Sequence, residues 1–187
     1  MIKIITPVDT EPVSLAEVRQ HLRLPDEPTE DDLLLNLVKT ARAYCENFTR
    51  RALAEQTLEM YLDRFSVNSS IMLPCPPLQS VMEIGYKDST GTETILPASN
   101  YIVVTDREPG RVMTVYGMSW PVFTPFPAAP IRIRFVAGYA ILPELIRQAL
   151  LLLVGHWYEN REATGTAKDQ TAFSVHALLS PYRVEVF

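Results

Sequence analysis

The first third of the chain alternates apolar and polar residues with the period of an α-helix. Ser14 and Glu17 form a capping box, in which the serine hydroxyl accepts from the backbone three residues on and the glutamate reaches back, so we predict a helix to about Leu22. Thr29 is the expected cap of a second helix of about 19 residues. Its apolar face comprises Leu34, Leu37, Val38, Ala41, Tyr44, Cys45 and Phe48. The pattern predicts two amphipathic helices joined by a proline-containing linker.

From Thr57 the apolar residues recur every second position, which is typical of half-buried strands. Turn residues at 88–91 and 108–110 predict hairpins. The predicted strands are 58–62, 71–73, 81–87, 93–96, 101–105, 111–116 and 131–135. Prolines at 74, 76, 77, 121, 125, 127 and 130 restrict those segments to sheet edges or loops, because proline cannot donate to a ladder.

Helical signals return after Gly138. Pro143 suits the first turn of a helix, and the following segment 145–158 is apolar on almost every side. Such a helix must be covered on several sides, either by its own core or by neighbouring subunits. Residues 161–170 are polar and predict a flexible loop or arm, followed by one short helical turn at 175–179 and an extended end at 182–187.

These segments together predict an α+β fold. We expect a helical bundle built from residues 1–52 and 139–187, into which residues 53–138 are inserted as an antiparallel β-rich subdomain.

Composition and charge exclude several classes of function. The formal net charge of -5 and the pI of about 5.2 argue against a large phosphate-binding face. No stretch is long and apolar enough to span a membrane, and the N-terminus lacks the pattern of a signal peptide. The two cysteines, Cys45 and Cys75, form no disulfide framework, and we expect both to be reduced in the cytoplasm.

His156 and Glu159 are the strongest catalytic candidates, because a spacing of three places both on one helix face, where they could bind one metal. The alternative function is therefore a metal-dependent hydrolase, with Glu162 or His176 completing the site. A histidine hydrogen-bonded at a packing surface is the competing structural interpretation. The sequence contains neither a G-x-S-x-G motif nor a glycine-rich phosphate loop.

A second alternative is a weak DNA-binding module. Arg132 and Arg134 share one face of a predicted strand, and Arg111 lies on another. Arginines without interleaved exposed aromatic residues form a poor platform for nucleic acid. We therefore expect these arginines to pair with acidic neighbours, either within the subunit or across an interface.

Several segments resemble the head–tail connector proteins of tailed bacteriophages, also called adaptor or head completion proteins. They are PVSLAEVRQHLRL at 12–24, DDL at 31–33, ARAYCENFTRRAL at 41–53, FVAGY at 135–139, PELIRQALLLLVGHWYENRE at 143–162 and ALLSPYR at 177–183. The combination spans nearly the whole chain and is similar to the larger members of the family, which carry a β-rich insert between the helices.

The resemblance implies a structural, non-catalytic protein without a cofactor. It implies a homo-oligomeric ring, usually a dodecamer, between the portal protein and a tail-side stopper or tail completion protein. The ring would line the channel through which double-stranded DNA passes without sequence specificity. The implied location is the head–tail interface of the virion, with assembly in the host cytoplasm.

The family has no catalytic motif to transfer, so residues are assigned only to contacts. The expected subunit interface comprises Leu145, Leu150, Leu151, Val154, Trp157, Tyr158, Lys39, Arg42 and Glu46. The expected portal-docking residues are Leu178, Leu179, Tyr182, Val184 and Phe187. The tail is expected to dock as an arm whose removal leaves the fold intact.

Overall fold

The structure is a computed structural model that describes residues 1–66, 70–160 and 168–185, with the backbone alone for 168–172. Its strands are β1 (Ile2–Thr6), β2 (Gln56–Leu62), β3 (Ser70–Met72), β4 (Leu78–Lys87), β5 (Glu93–Ile95), β6 (Tyr101–Val104), β7 (Arg111–Thr114) and β8 (Ile131–Ala137). Its α-helices are α1 (Leu15–Leu22), α2 (Asp31–Thr49), α3 (Glu144–Glu159) and α4 (Lys168–Leu179). Antiparallel sheets and separate helices confirm the predicted α+β class.

The chain divides into two compact units. The β unit comprises Met1–Asp9 and Glu55–Tyr139, and the helical unit comprises Thr10–Ala54 together with the described residues from Ala140 onward. The first nine residues therefore differ from the expected helical segment 1–52. They join the β unit because β1 pairs antiparallel with β2.

The β unit contains two antiparallel sheets. The larger has the strand order β1-β2-β8-β4-β5, and the smaller has the order β3-β7-β6. The predicted hairpin turns join β4 to β5 and β6 to β7. At the first of these turns the Asp88 side chain accepts from the backbone N–H groups of Thr90 and Thr92. Turn chemistry and alternation thus account for most of the strands.

Alternation along β8 gives the larger sheet two different faces. Ile131, Ile133 and Phe135 are fully buried, whereas the arginines between them point to the other side. The register places Ile2, Ile4, Leu58, Met60, Ile84, Tyr86 and Thr94 on the same side as the buried residues, which we call the apolar face. The charged face carries Lys3, Glu59, Tyr61, Glu83, Lys87, Glu93, Arg132 and Arg134.

In the helical unit, α1 begins as predicted. The Ser14 hydroxyl accepts from the Glu17 N–H at 3.2 Å, and the Glu17 carboxylate accepts from the Ser14 N–H at 2.8 Å. The predicted cap of α2 is wrong: Thr29 lies inside a short 3-10 turn, and Glu30 at the cap position makes no side-chain cap hydrogen bond. Helix α2 nevertheless has the expected 19 residues.

The C-terminal segment also differs from the prediction. Lys168–Gln170, expected in a loop, open a helix of 12 residues that continues to Leu179, so the helix is much longer than the single turn predicted. Residues 161–167 of the predicted loop lie outside the described residues. Val175 and Leu179, four residues apart, are both fully buried, and this spacing places them on one face of α4.

Candidate functional site

Helix α3 is covered mainly by the helical unit itself. It packs against α1, α2 and α4, and five of its residues are buried: Ile146, Ala149, Leu150, Leu153 and Val154. Leu150 and Val154 are each 1% exposed, so their expected place at a subunit interface is wrong. Much of the apolar surface of α3 is therefore buried in the core of the helical unit.

Other predicted interface residues of α3 remain at the surface. Leu145 is 44% exposed near the start of the helix. Leu151, Trp157 and Tyr158 are half-buried. The Trp157 ring meets the Tyr44 ring edge-on at 6.3 Å. Part of each of these four side chains is therefore accessible at the surface of the helical unit.

Arg42 and Glu46 on α2 form an ion-pair network inside the helical unit. Arg42 donates through Nε to Glu11 Oε2 at 2.7 Å and through Nη1 to Glu46 Oε2 at 3.0 Å. Glu46 Oε1 accepts the Leu53 N–H at 3.0 Å. Burial raises the pKa of Glu46 in spite of these contacts. Both side chains therefore brace α2 against its flanking segments and remain half-buried, whereas Lys39 is exposed.

The predicted docking tail is fastened to α2. The Val184 N–H donates to the Thr49 carbonyl at 2.9 Å, and Arg51 Nε donates to the Tyr182 carbonyl. Leu179 is 0% exposed. These contacts contradict the expected free arm, because the segment 175–184 completes the core of the helical unit. Leu178 and Tyr182 are half-buried, and Phe187 lies outside the described residues.

An aromatic cluster lies between α2 and the tail. The rings of Phe48 and His176 stack with centroids 4.7 Å apart, and the Arg183 guanidinium lies 5.5 Å from the Phe48 centroid. The Tyr44 hydroxyl and His176 Nε2 are 3.1 Å apart. His176 is therefore held by a ring stack and a hydrogen bond. From the sequence it was predicted only as a possible third metal ligand.

The charged face of the larger sheet explains the paired arginines. Arg134 Nη2 lies 2.6 Å and Arg132 Nη1 3.1 Å from Glu59 Oε1, and Arg132 also pairs with Glu83 and Glu93. Burial alone would raise the pKa of Glu59, but hydrogen bonds from Tyr61 and the two arginines hold it below its usual value. The expected pairing with acidic neighbours is confirmed within the chain.

These ion pairs remove the main support for a DNA-binding module. Arg132 and Arg134 are occupied by three glutamates, and Arg111 lies on β7 in the other sheet. The three arginines therefore do not form one exposed basic surface.

The metal-site hypothesis gains no support from the described residues. His156 Nδ1 lies 3.4 Å from the Asn160 amide nitrogen, and the same amide donates to the His156 carbonyl. Across residues 1–66, 70–160 and 168–185, no group of three or more histidine, cysteine, aspartate or glutamate side chains could hold a metal ion. Glu162 lies outside these ranges.

In the part of the chain that the structure describes, no helix reaches the length and apolarity of a membrane span.

Two segments of the β unit expose apolar side chains that were not predicted from the sequence as contact residues. Ile2 and Ile4 of β1 are 46% and 57% exposed at the edge of the larger sheet. Tyr116 and Val122, in the loop between β7 and β8, are fully accessible. The signal for the loop was available, because residues 115–130 contain no charged side chain. Such exposed apolar groups are typical of contact surfaces.

A family model described as "Head completion protein" matches residues 11–177. No protein with a curated description matches the chain.

Three chains from solved particles are similar over the whole length. One, from "Neck of empty GTA particle computed with C6 symmetry", is 28% identical with a TM-score of 0.84. Another, from "Virion of native gene transfer agent (GTA) particle", is 29% identical with a TM-score of 0.83. The third, from "Neck of native GTA particle computed with C12 symmetry", is 28% identical with a TM-score of 0.81. Each comparison covers 100% of this chain and 97% of the other.

Proposed function

Because the chain belongs to the head completion protein family, we propose that it forms a ring between the portal and the tail of a phage-like particle and contributes to the DNA exit channel. The family supports a structural, non-enzymatic role in the head–tail connection. The observation that carries the proposal is the similarity over 100% of this chain to chains of two neck structures, at 28% identity.

Rotational symmetry of the related necks supports a ring. Two of the similar chains come from neck structures that were computed with C6 and C12 symmetry. A closed ring requires two different, complementary patches on each subunit. Leu145 and Lys39 are exposed on different helices and are available for such patches. We propose a dodecamer, to which the half-buried Leu151, Trp157 and Tyr158 also contribute contacts.

The proposed partners are the portal protein, a tail-side stopper or tail completion protein, and the double-stranded DNA that passes through the ring. The net charge of -5 suits a channel from which phosphates are released easily, because strong DNA binding needs clustered basic residues. Leu178 and Tyr182 remain proposed portal contacts, now as part of a fixed surface. The proposed location is the head–tail interface of the virion, after assembly in the host cytoplasm.

The proposal is tested by measuring assembly with and without the portal. Native mass spectrometry and negative-stain microscopy of the full-length chain should show rings, either alone at high concentration or after addition of the portal protein encoded with it. Compact monomers under both conditions would contradict the proposal.

A substitution at Leu145 tests the α3 surface. Because this side chain is 44% exposed, Leu145→Glu should leave the fold unchanged and place a charge in the contact, so that rings are lost. Leu145→Met conserves volume and apolarity and is the matched control. Equal assembly of both variants would place the subunit contact elsewhere.

A further inference from the structure

The outer edges of the larger sheet are open for pairing. Its order β1-β2-β8-β4-β5 makes β1 and β5 the two edge strands. All residues of Ile2–Thr6 and Glu93–Ile95 are exposed. No strand in the described part of the chain pairs with the outer side of either. Exposed edges with isoleucines invite pairing with another chain unless they are covered.

The backbone groups of β1 that face outward follow from its pairing with β2. Met1 and Tyr61 exchange backbone hydrogen bonds, from the Tyr61 N–H to the Met1 carbonyl at 2.9 Å and from the Met1 nitrogen to the Tyr61 carbonyl at 3.4 Å. Bonded and non-bonded pairs alternate along an antiparallel ladder. The N–H and C=O groups of Ile2 and Ile4 therefore point away from β2, toward the open edge.

The same reasoning applies to β5. The Leu96 N–H donates to the Ile84 carbonyl at 2.8 Å, so the backbone N–H and C=O groups of Leu96 face β4. Alternation then directs the N–H and C=O groups of Glu93 and Ile95 outward. Each edge thus presents two donors and two acceptors at alternate residues.

The two edges are complementary in direction and in side chains. Successive antiparallel pairings make β1 and β5 run the same way. In a parallel ladder that aligns Ile4 with Thr94, three of the four outward N–H groups donate to outward carbonyls of the other strand. It also keeps these two residues on the apolar face and places Lys3 beside Glu93 on the charged face, where opposite charges attract.

We propose that β1 of one copy pairs in parallel with β5 of a second copy, so that the larger sheet continues from subunit to subunit. This inference rests on the proposed ring and names one of its contacts. The contact joins two different edges, so it is repeated around a rotation axis until the ring closes. Pairing of β1 with β1 about Lys3 would instead set two lysines opposite each other.

Disulfide trapping tests the pairing directly. Adjacent strands bring paired Cα atoms within the 4.4–6.8 Å that a disulfide spans. In a full-length Cys75→Ser background, the double variant Lys3→Cys with Glu93→Cys should give a ladder of covalent multimers after mild oxidation of assembled rings. Each single variant should stay monomeric on the same non-reducing gel.

A matched control pairs Lys3→Cys with Lys87→Cys. Lys87 lies on the same charged face, but one strand further from the edge, beyond the reach of a disulfide from a neighbouring β1. It should give no ladder. Dimers from Lys3→Cys alone would show β1–β1 pairing, and a band joining that variant to another particle protein would assign the edge to that protein. Either result overturns the proposal.

Native mass spectrometry of the same sample before oxidation shows whether rings have formed, so a failure of the strand pairing can be distinguished from a failure of the ring. Rings without a ladder overturn the strand pairing and leave the connector function standing. Monomers alone and with the portal overturn both. As a second variant, Ile4→Pro removes an outward N–H without removing a bond to β2 and should abolish assembly, whereas Ile4→Val should assemble like the wild type. Equal assembly of these two variants also overturns the pairing, provided that their thermal melts agree.

Discussion

Replacing Leu179 by alanine should destabilise the helical unit. The side chain is 0% exposed at the end of α4, on the same face as Val175. Removing a fully buried leucine side chain costs roughly 2–5 kcal/mol, and we expect about 3 kcal/mol here because the tail beyond it is fastened by backbone hydrogen bonds. With a urea dependence of about 1–3 kcal/mol per molar, the unfolding midpoint should fall by roughly 1–3 M.

The chain offers a separate reporter for each unit. Its two tryptophans are Trp157 in the helical unit and Trp120 in the β unit. In a Trp120→Phe background, fluorescence therefore follows unfolding of the helical unit alone. The matched control is Leu178→Ala, since Leu178 is only half-buried and should cost less. A change below about 0.5 kcal/mol for Leu179→Ala would show that α4 is a docked arm and not part of the core.

Three further outcomes are expected. Ser14→Ala removes the helix cap and should cost about 1 kcal/mol in urea unfolding, and an unchanged midpoint would contradict the capping box. Glu59→Gln removes the negative charge that Arg132 and Arg134 share and should cost about 2 kcal/mol. Because the pKa of Glu59 lies below 4.5 in the folded state, its contribution is present above that pH and is lost as the pH falls through the lowered pKa, so the variant should be less acid-sensitive than the wild type. Burial raises the pKa of Cys45 to about 12, so in a Cys75→Ser variant no thiol should react with Ellman's reagent at pH 8 until urea is added.

Local signals predicted most of the fold. The Ser14 capping box, the 19-residue apolar stripe of α2 and the alternation along β8 each act through residues close in sequence, and each is found in the structure. The turn at Asp88 is equally local. Such signals need no knowledge of what the element packs against.

The elements that escaped prediction depend on distant partners. Strand β1 carries consecutive isoleucines in place of strict alternation, and it is a strand because β2 pairs with it. Glu59 alternates with apolar residues as a solvent-facing position would, yet it is 3% exposed and is contacted by Arg132 and Arg134 of β8. Within residues 173–179, the part of α4 whose side chains the structure describes, Val175 and Leu179 are the buried positions, so the apolar periodicity is weak.

The surfaces were harder to predict than the fold. Leu150 and Leu145 are the same residue type on one helix, yet one is 1% exposed and the other 44%. Sequence identifies an apolar helix, but the side that remains uncovered depends on how α1, α2 and α4 pack around it. Predicted contact residues were for this reason a mixture of core and surface.

The helical unit is built from two segments that are separated in sequence by most of the β unit. This order determines when the helical unit can fold during synthesis. Residues 10–54 leave the ribosome early, but α3, which packs against both α1 and α2, follows only after the whole β unit. At roughly 5–20 residues per second the first helices wait several seconds for that partner. A nascent chain that stops before α3 has completed its sheets and lacks its helical core. Premature termination products therefore cannot present the helical surface of the finished chain.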